Sequence, residues 1–128
     1  MSKAELNRIH TRIFEAASEI YANLGQGLDT EIYLTCFMHE LRLKGLLFKR
    51  GVTFPVIYKN IKTNREIIVD LMIENQLLVD VTPSESITPL QMSSMSSKLK
   101  IAQKRMGILL TFNALTVTEG YRKILNNS

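Results

Sequence analysis

The run from Ile67 to Thr82, IIVDLMIENQLLVDVT, constrains the chain more than any other stretch. Two aliphatic runs flank the polar triplet Glu74-Asn75-Gln76, the pattern of a β-hairpin. Folding about Asn75 sets Ile73 against Leu77, Met72 against Leu78 and Leu71 against Val79, and Asp70 then falls opposite Asp80. Directly opposed side chains on a sheet lie about 4.5–5.5 Å apart at Cβ, where like charges are destabilising. Alternation puts Val69, Leu71, Ile73, Leu77, Val79 and Val81 on one face, and Asp70, Met72, Leu78, Asp80 and Thr82 on the other. The first face suits a core. The second holds two acids among apolar neighbours, as a divalent-metal site would, or else turns two charges to water and blunts the sheet. Spacing alone leaves both readings open, and a three-residue turn also admits a bulge that shifts the register.

The rest of the chain reads as helices and strands around this hairpin. Ile9, Ile13, Ala16, Ala17, Ile20 and Leu24 recur at helical steps, so an amphipathic helix is expected from Lys3 to about Leu24, stopped by Gly25. His10 in this helix reads as a surface or partly packed residue. Gly25-Gln26-Gly27 lacks the following Lys-Ser/Thr and the preceding strand of a phosphate loop. Asp29 or Thr30 caps a second helix running to Lys44, with Ile32, Cys36, Phe37 and Leu41 as its apolar stripe. Cys36 reads as core and not as a nucleophile. Leu46–Arg50 and Val52–Tyr58 read as strands around Gly51, with Pro55 marking an edge or a bulge. Residues 59–65, KNIKTNR, form a basic turn that with Lys49 and Arg50 could touch phosphates. No aromatic platform accompanies these charges, which favours a solvated turn. Thr88 caps and Pro89 opens a third helix, expected to reach about Arg105 with Met92, Met95, Leu99, Ala102 and Met106 buried. Leu115–Leu125 add an edge strand or a short helix.

A chain of 128 residues that is 45% hydrophobic and 22% charged suits one globular domain over residues 1–128. The single cysteine, Cys36, excludes an intramolecular disulfide and suits a reducing cytoplasm. No apolar run reaches the ~20 residues of a membrane span, and the polar N-terminus lacks the apolar core of a signal peptide. The net charge of +4 permits a nucleic-acid partner without requiring one.

The hairpin resembles the central hairpin of the PD-(D/E)XK nuclease superfamily, in which an Asp on one strand and an acid-x-Lys on the next build the active site. The match is to Asp70 and to Asp80-Val81-Thr82, with Thr82 at the usual Lys position. More closely, the chain is similar to the small bacterial family of GxxExxY proteins, whose name motif falls on Gly27 to Tyr33. Gly27 and Tyr33 match, and Thr30 stands at the usual Glu position. Glu31 is adjacent, but one helical step turns a side chain by about 100°, so it is a poor substitute. The late strand GILLTFN resembles the family's Gly-Leu-Leu-x-Asn-Phe-like run, and a Gln that usually assists the site aligns with Ser94. The resemblance covers roughly Ile9 to Ile124.

It implies an α/β (α+β) fold of restriction-endonuclease type, with a central mixed β-sheet flanked by helices. It further implies catalytic and metal-binding roles for Asp70 and Asp80, and Mg²⁺ or Mn²⁺ as cofactor. Because the Lys, the helix acid and the Gln all depart from the pattern, the expectation leans towards a degenerate, non-catalytic domain that binds nucleic acid or protein. The alternative is a live Mg²⁺-dependent nuclease with a rearranged site, favoured if Lys44, Lys49 or Lys98 projects towards Asp70. A third reading is a structural or oligomerising protein in which the two acids are relics.

Overall fold

The computed structural model describes residues 1–126. Helix α1 spans Lys3–Leu24 and buries Ile9, Ile13, Ala16, Ala17 and Ile20, the expected stripe without Leu24. Gly25 ends it at φ +72, with its N–H on the Tyr21 carbonyl. That left-handed turn is cheap only for glycine. Asp29 caps α2, Thr30–Leu43. The buried side chains of α2 are Tyr33, Leu34, Phe37 and Leu41, which corrects the expected stripe: Ile32 is exposed and Cys36 is only partly covered. The helix is rotated by its anchor. Tyr33 stacks on Phe112, and its hydroxyl donates to the Gly25 carbonyl at 2.6 Å while accepting from Leu28 N–H.

Five strands follow: β1 Phe48–Tyr58, β2 Ile61–Ile73, β3 Leu77–Val81, β4 Met106–Leu110 and β5 Tyr121–Leu125. Helix α3, Pro89–Ala102, crosses between β3 and β4. The strand order is β1-β2-β3-β4-β5, with β3–β4 parallel and every other pair antiparallel. The expected hairpin register holds for Leu71–Val79, Met72–Leu78 and Ile73–Leu77. Helices α1 and α2 cover one face over Leu71, Ile73, Leu77, Val79, Ile108 and Leu110. Helix α3 covers the other through Met95 and Leu99 over Met72, Leu78 and Leu109. Val69 belongs to this second cluster, not with Leu71 as alternation predicts. The β2–β3 ladder ends at Leu71–Val79, and upstream of that point β2 is no longer held in the plane of the hairpin.

Three boundaries also differ from expectation. Helix α3 stops at Ala102, because Gln103 turns left-handed at φ 57, and Met106 is a strand residue. Around Gly51 there is one strand, not two. The basic turn is not a turn: Lys59 and Asn60, both at positive φ, make the reversal, and Ile61 onwards is strand. Two positive φ values in a row are the mark of a type I′ hairpin turn.

Close approaches fall at two glycines, Gly120 against the end of β4 and Gly107 of β4 under α3. A Cβ on Gly120 would lie 2.1 Å from the Thr111 carbonyl oxygen, a backbone atom with nowhere to go. On Gly107 it would meet Met95 Sδ at 2.6 Å, the flexible end of a side chain. Overpacking of this kind costs about 1–3 kcal/mol. Gly120→Ala is expected at the upper end of that range and Gly107→Ala at the lower end. Urea denaturation of the two variants checks the order.

Candidate active site

The site forms where the sheet divides. Strand β3 stays paired with β4 through Val81–Leu110, and Thr82 N–H continues to the Leu110 carbonyl. Strand β2 leaves β3 after Leu71. Asp70 and Asp80 occupy the fork and replace the missing ladder bonds. Asp70 N–H donates to Asp80 Oδ1 at 2.9 Å, and Val81 N–H donates to Asp70 Oδ2 at 2.8 Å. Each carboxylate therefore satisfies a backbone donor next to the other acid. A half-buried N–H left without a partner would cost free energy comparable to a lost hydrogen bond, so the acids hold the fork open at no loss of pairing. Asp70 Oδ1 accepts no hydrogen bond among the described residues.

A cation answers the repulsion. Lys98, on α3, places Nζ 2.7 Å from Asp80 Oδ2, and both side chains are largely covered. Arg50 on β1 adds positive charge felt by Asp70 and is itself bridged to Glu31 of α2 at 2.5 Å. The Asp70 carboxyl nevertheless sits above its ordinary range. Burial is the main cause, the Val81 N–H opposes it, Asp80 adds to it, and Lys98 and Arg50 oppose it. A cleft of about 320 Å³ lies over the pair, with Ile68, Gln91, Ser94 and Lys98 among its walls.

The placement of the sequence candidates is uneven. Asp70, Asp80, Thr82 and Ser94 all line this cleft, whereas Thr30, the first residue of α2, does not. Glu31 is turned to Arg50 and supplies no ligand to the pair. Of the three lysines, Lys98 arrives; Lys44 bridges Glu15, and Lys49 borders a separate hollow with Leu47 and Asn75. Sequence reasoning missed Gln91. Its Nε2 donates to Thr82 Oγ1 and Ser84 Oγ at 3.1 Å, while its Oε1 accepts from Thr88 N–H in a capping box. A signal for both residues exists: Gln91, Ser94 and Lys98 follow at steps of three and four, one helical face. His10 is half-buried with Nδ1 2.6 Å from the Tyr121 hydroxyl, a packing contact remote from the acids.

The donor set suits a hard divalent ion in type and economy. Among the described residues no third carboxylate, His or Cys joins the pair, and Mg²⁺ is commonly held by one or two carboxylates with water and substrate phosphate completing its shell. A profile of the PD-(D/E)XK nuclease superfamily matches residues 7–124, nearly the whole chain. The chain belongs to the PD-(D/E)XK nuclease superfamily. The mixed sheet with flanking helices is accordingly the restriction-endonuclease-like arrangement, and PD-(D/E)XK nucleases generally use Mg²⁺ or Mn²⁺. No curated protein and no solved structure matches the chain. No helix among the described residues is long and apolar enough to cross a membrane.

The raised Asp70 pKa has a consequence for stability. A carboxyl whose folded pKa lies above its unfolded value, 3.8, favours folding when protonated, and that contribution is lost as pH rises through the folded pKa. At pH 7 the ionised Asp70 is therefore a liability. Asp70→Asn keeps an acceptor for Val81 N–H and removes the charge. Its melting temperature is expected to exceed that of the wild type at pH 7, on the order of a few °C. The difference should shrink as pH falls towards 4, which a calorimetric pH series reads directly.

Proposed function

We propose that this protein is a divalent-metal-dependent nuclease whose working lysine is Lys98 of α3, in place of the strand position held by Thr82. The observation that carries this reading is the 2.7 Å reach of Lys98 Nζ to Asp80 Oδ2, in the cleft that Thr82 lines. Asp70 and Asp80 would hold Mg²⁺ or Mn²⁺, Asp70 through its unbonded Oδ1. When bound, such an ion polarises the scissile phosphate and lowers the pKa of an attacking water. In phosphodiester hydrolysis the water oxygen bonds to phosphorus, the P–O bond to the leaving oxygen breaks, and negative charge gathers on the non-bridging oxygens. The Lys98 ammonium has three donors. One is committed to Asp80, which leaves two that could serve the developing charge as a preorganised electrostatic stabiliser. Gln91 Nε2 ties Thr82, which lines the cleft, to Ser84 beside it. Gly27 and Tyr33 support grouping the chain with the GxxExxY proteins, as a variant lacking their motif Glu.

One observation favours a second reading, a nuclease-like domain that binds without cutting. Lys98 already neutralises Asp80, and three of the four carboxylate oxygens are hydrogen-bonded. A double experiment separates the two. The nuclease reading expects about one equivalent of Mn²⁺ bound in calorimetric titration, lost in Asp70→Ala, with cleavage of plasmid DNA in Mg²⁺ or Mn²⁺. Lys98→Met should lower the cleavage rate about 10²–10³-fold, the effect of removing one preorganised donor. Adding Thr82→Lys to Lys98→Met should recover part of that loss. Absence of both metal binding and cleavage at millimolar metal would overturn the nuclease reading. Undiminished cleavage by Lys98→Met would reduce Lys98 to a structural partner of Asp80.

A further inference from the structure

Beyond the cleft, the largest uncommitted feature is the outer part of the β1–β2 ribbon. Val52 and Phe54 pack at the edge of the α3 cluster. Past Pro55 the ribbon covers nothing: of residues 55–66 only Val56 is even partly sheltered, and Ile57, Tyr58 and Ile61 are each about 60% exposed. The hydrogen bonds that shape it are internal, such as Thr63 Oγ1 to the Val56 carbonyl. At about 3.3 Å per residue, the nine steps from Asp70 to Ile61 reach roughly 25–30 Å.

The charge of the protein is concentrated here. From Phe48 to Glu66 there are five basic residues, Lys49, Arg50, Lys59, Lys62 and Arg65, and one acid, Glu66. The rest of the chain has eleven of each sign, so the ribbon carries the whole net charge of +4. Lys59 lies over the Tyr58 ring at 5.4 Å, so an aromatic does accompany the tip charges.

We propose that this ribbon is an arm that grips duplex DNA beside the cleft, a substrate assignment that rests on the nuclease reading above. A two-stranded ribbon fits the major groove of B-form DNA, about 12 Å wide. The major groove of A-form RNA is too deep and narrow for such readout. Pairing with a second copy is the competing use of an exposed ribbon, and the edge is built against it. Pro55 lacks a donor, the register shifts between Pro55 and Ile57, and lysines flank the edge. Those are the devices that prevent strand addition. The arm leads to the cleft: further along β2 from its outer part, Ile68 and Asp70 line that cleft.

The test is fluorescence anisotropy with a labelled 20-base-pair DNA duplex in EDTA, so that binding is read apart from cleavage. Variants are Lys59→Glu/Lys62→Glu/Arg65→Glu, its Gln counterpart, and Lys3→Glu/Arg8→Glu/Lys100→Glu as an equal charge change elsewhere. The arm variants should bind at least 10-fold more weakly, and the log–log salt slope should fall by about 2–3, the value for three lost phosphate contacts. The control triple should retain most of the wild-type affinity. Equal losses in arm and control triples would overturn the proposal, as would arm-dependent binding of single strands or duplex RNA as tight as duplex DNA. A wild type that ignores DNA but sediments as a dimer, dissociated by the arm variant, would overturn it in favour of self-association. Arm-dependent binding without cleavage in Mg²⁺ or Mn²⁺ would sink the nuclease reading and leave the arm intact. Melting temperatures of the triples verify folding, and the Gln variant keeps the test open if charge reversal disturbs the ribbon.

Discussion

Everything distinctive in this molecule follows from the point where β2 parts from β3. An antiparallel hairpin that simply continued past Leu71–Val79 would bury its own backbone groups and leave no cleft. Here β3 is retained by its parallel partner β4, and β2 turns away with β1. The freed donors, Asp70 N–H and Val81 N–H, are taken by the side chains of Asp80 and Asp70. An apolar pair at these positions would leave the donors to water or force the strands together. Side-chain acceptors at these two positions are thus required by the local fold before any chemistry is considered. That requirement explains why two like charges can sit side by side in a small, partly buried space.

The cost of the arrangement falls on Asp70, and the surrounding elements are placed to offset it. Helix α3 is fixed at its start by the Thr88–Gln91 capping box and pressed onto β4 by Met95 over Gly107. With the helix so placed, positions 91, 94 and 98 face the fork, and a four-carbon lysine stem spans the gap to Asp80. A lysine on the strand two residues after the acid would come from the sheet side. From α3 it comes from the opposite wall. The substitution of Thr82 is then coherent with its surroundings: its hydroxyl is occupied by Gln91 Nε2 and Ser84 N–H, contacts a charged amine could not accept.

The hairpin, its register and its two acids were legible because period-two alternation and a polar turn are local signals. So were the ends of α1 and the cap of α3, where Gly25, Thr88 and Pro89 act through their own backbone chemistry. What was not legible depended on contacts across the fold. Ile32 looked buried by spacing, but Tyr33 is anchored by Phe112 and Gly25, residues distant in sequence or outside the helix, and this sets the rotation of α2. Residues 59–65 looked like a loop because Lys and Asn are poor strand formers. Their strand is held by pairing with Ile57 and Tyr58 and ends in a two-residue turn. The site was half legible: the acids stood out, while Lys98 was one lysine among several in a basic helix until α3 was docked.

The distribution of charge gives the fold a direction. A chain of net charge +4 would be unremarkable if its basic residues were scattered, since exposed charges further apart than a Debye length of about 10 Å act almost independently. Placing that excess on one ribbon, against an otherwise neutral body, creates a local field that attracts polyanions to one end of the molecule. The ribbon runs into β2, and β2 carries Asp70. In the proposed reading, a polyanion drawn to the arm would lie on the strand that leads to the fork. There the sign reverses to two carboxylates balanced by Lys98 and, at longer range, Arg50. An acidic pair would by itself repel a phosphate backbone. The basic arm and the α3 lysine together make its approach to that pair electrostatically reasonable.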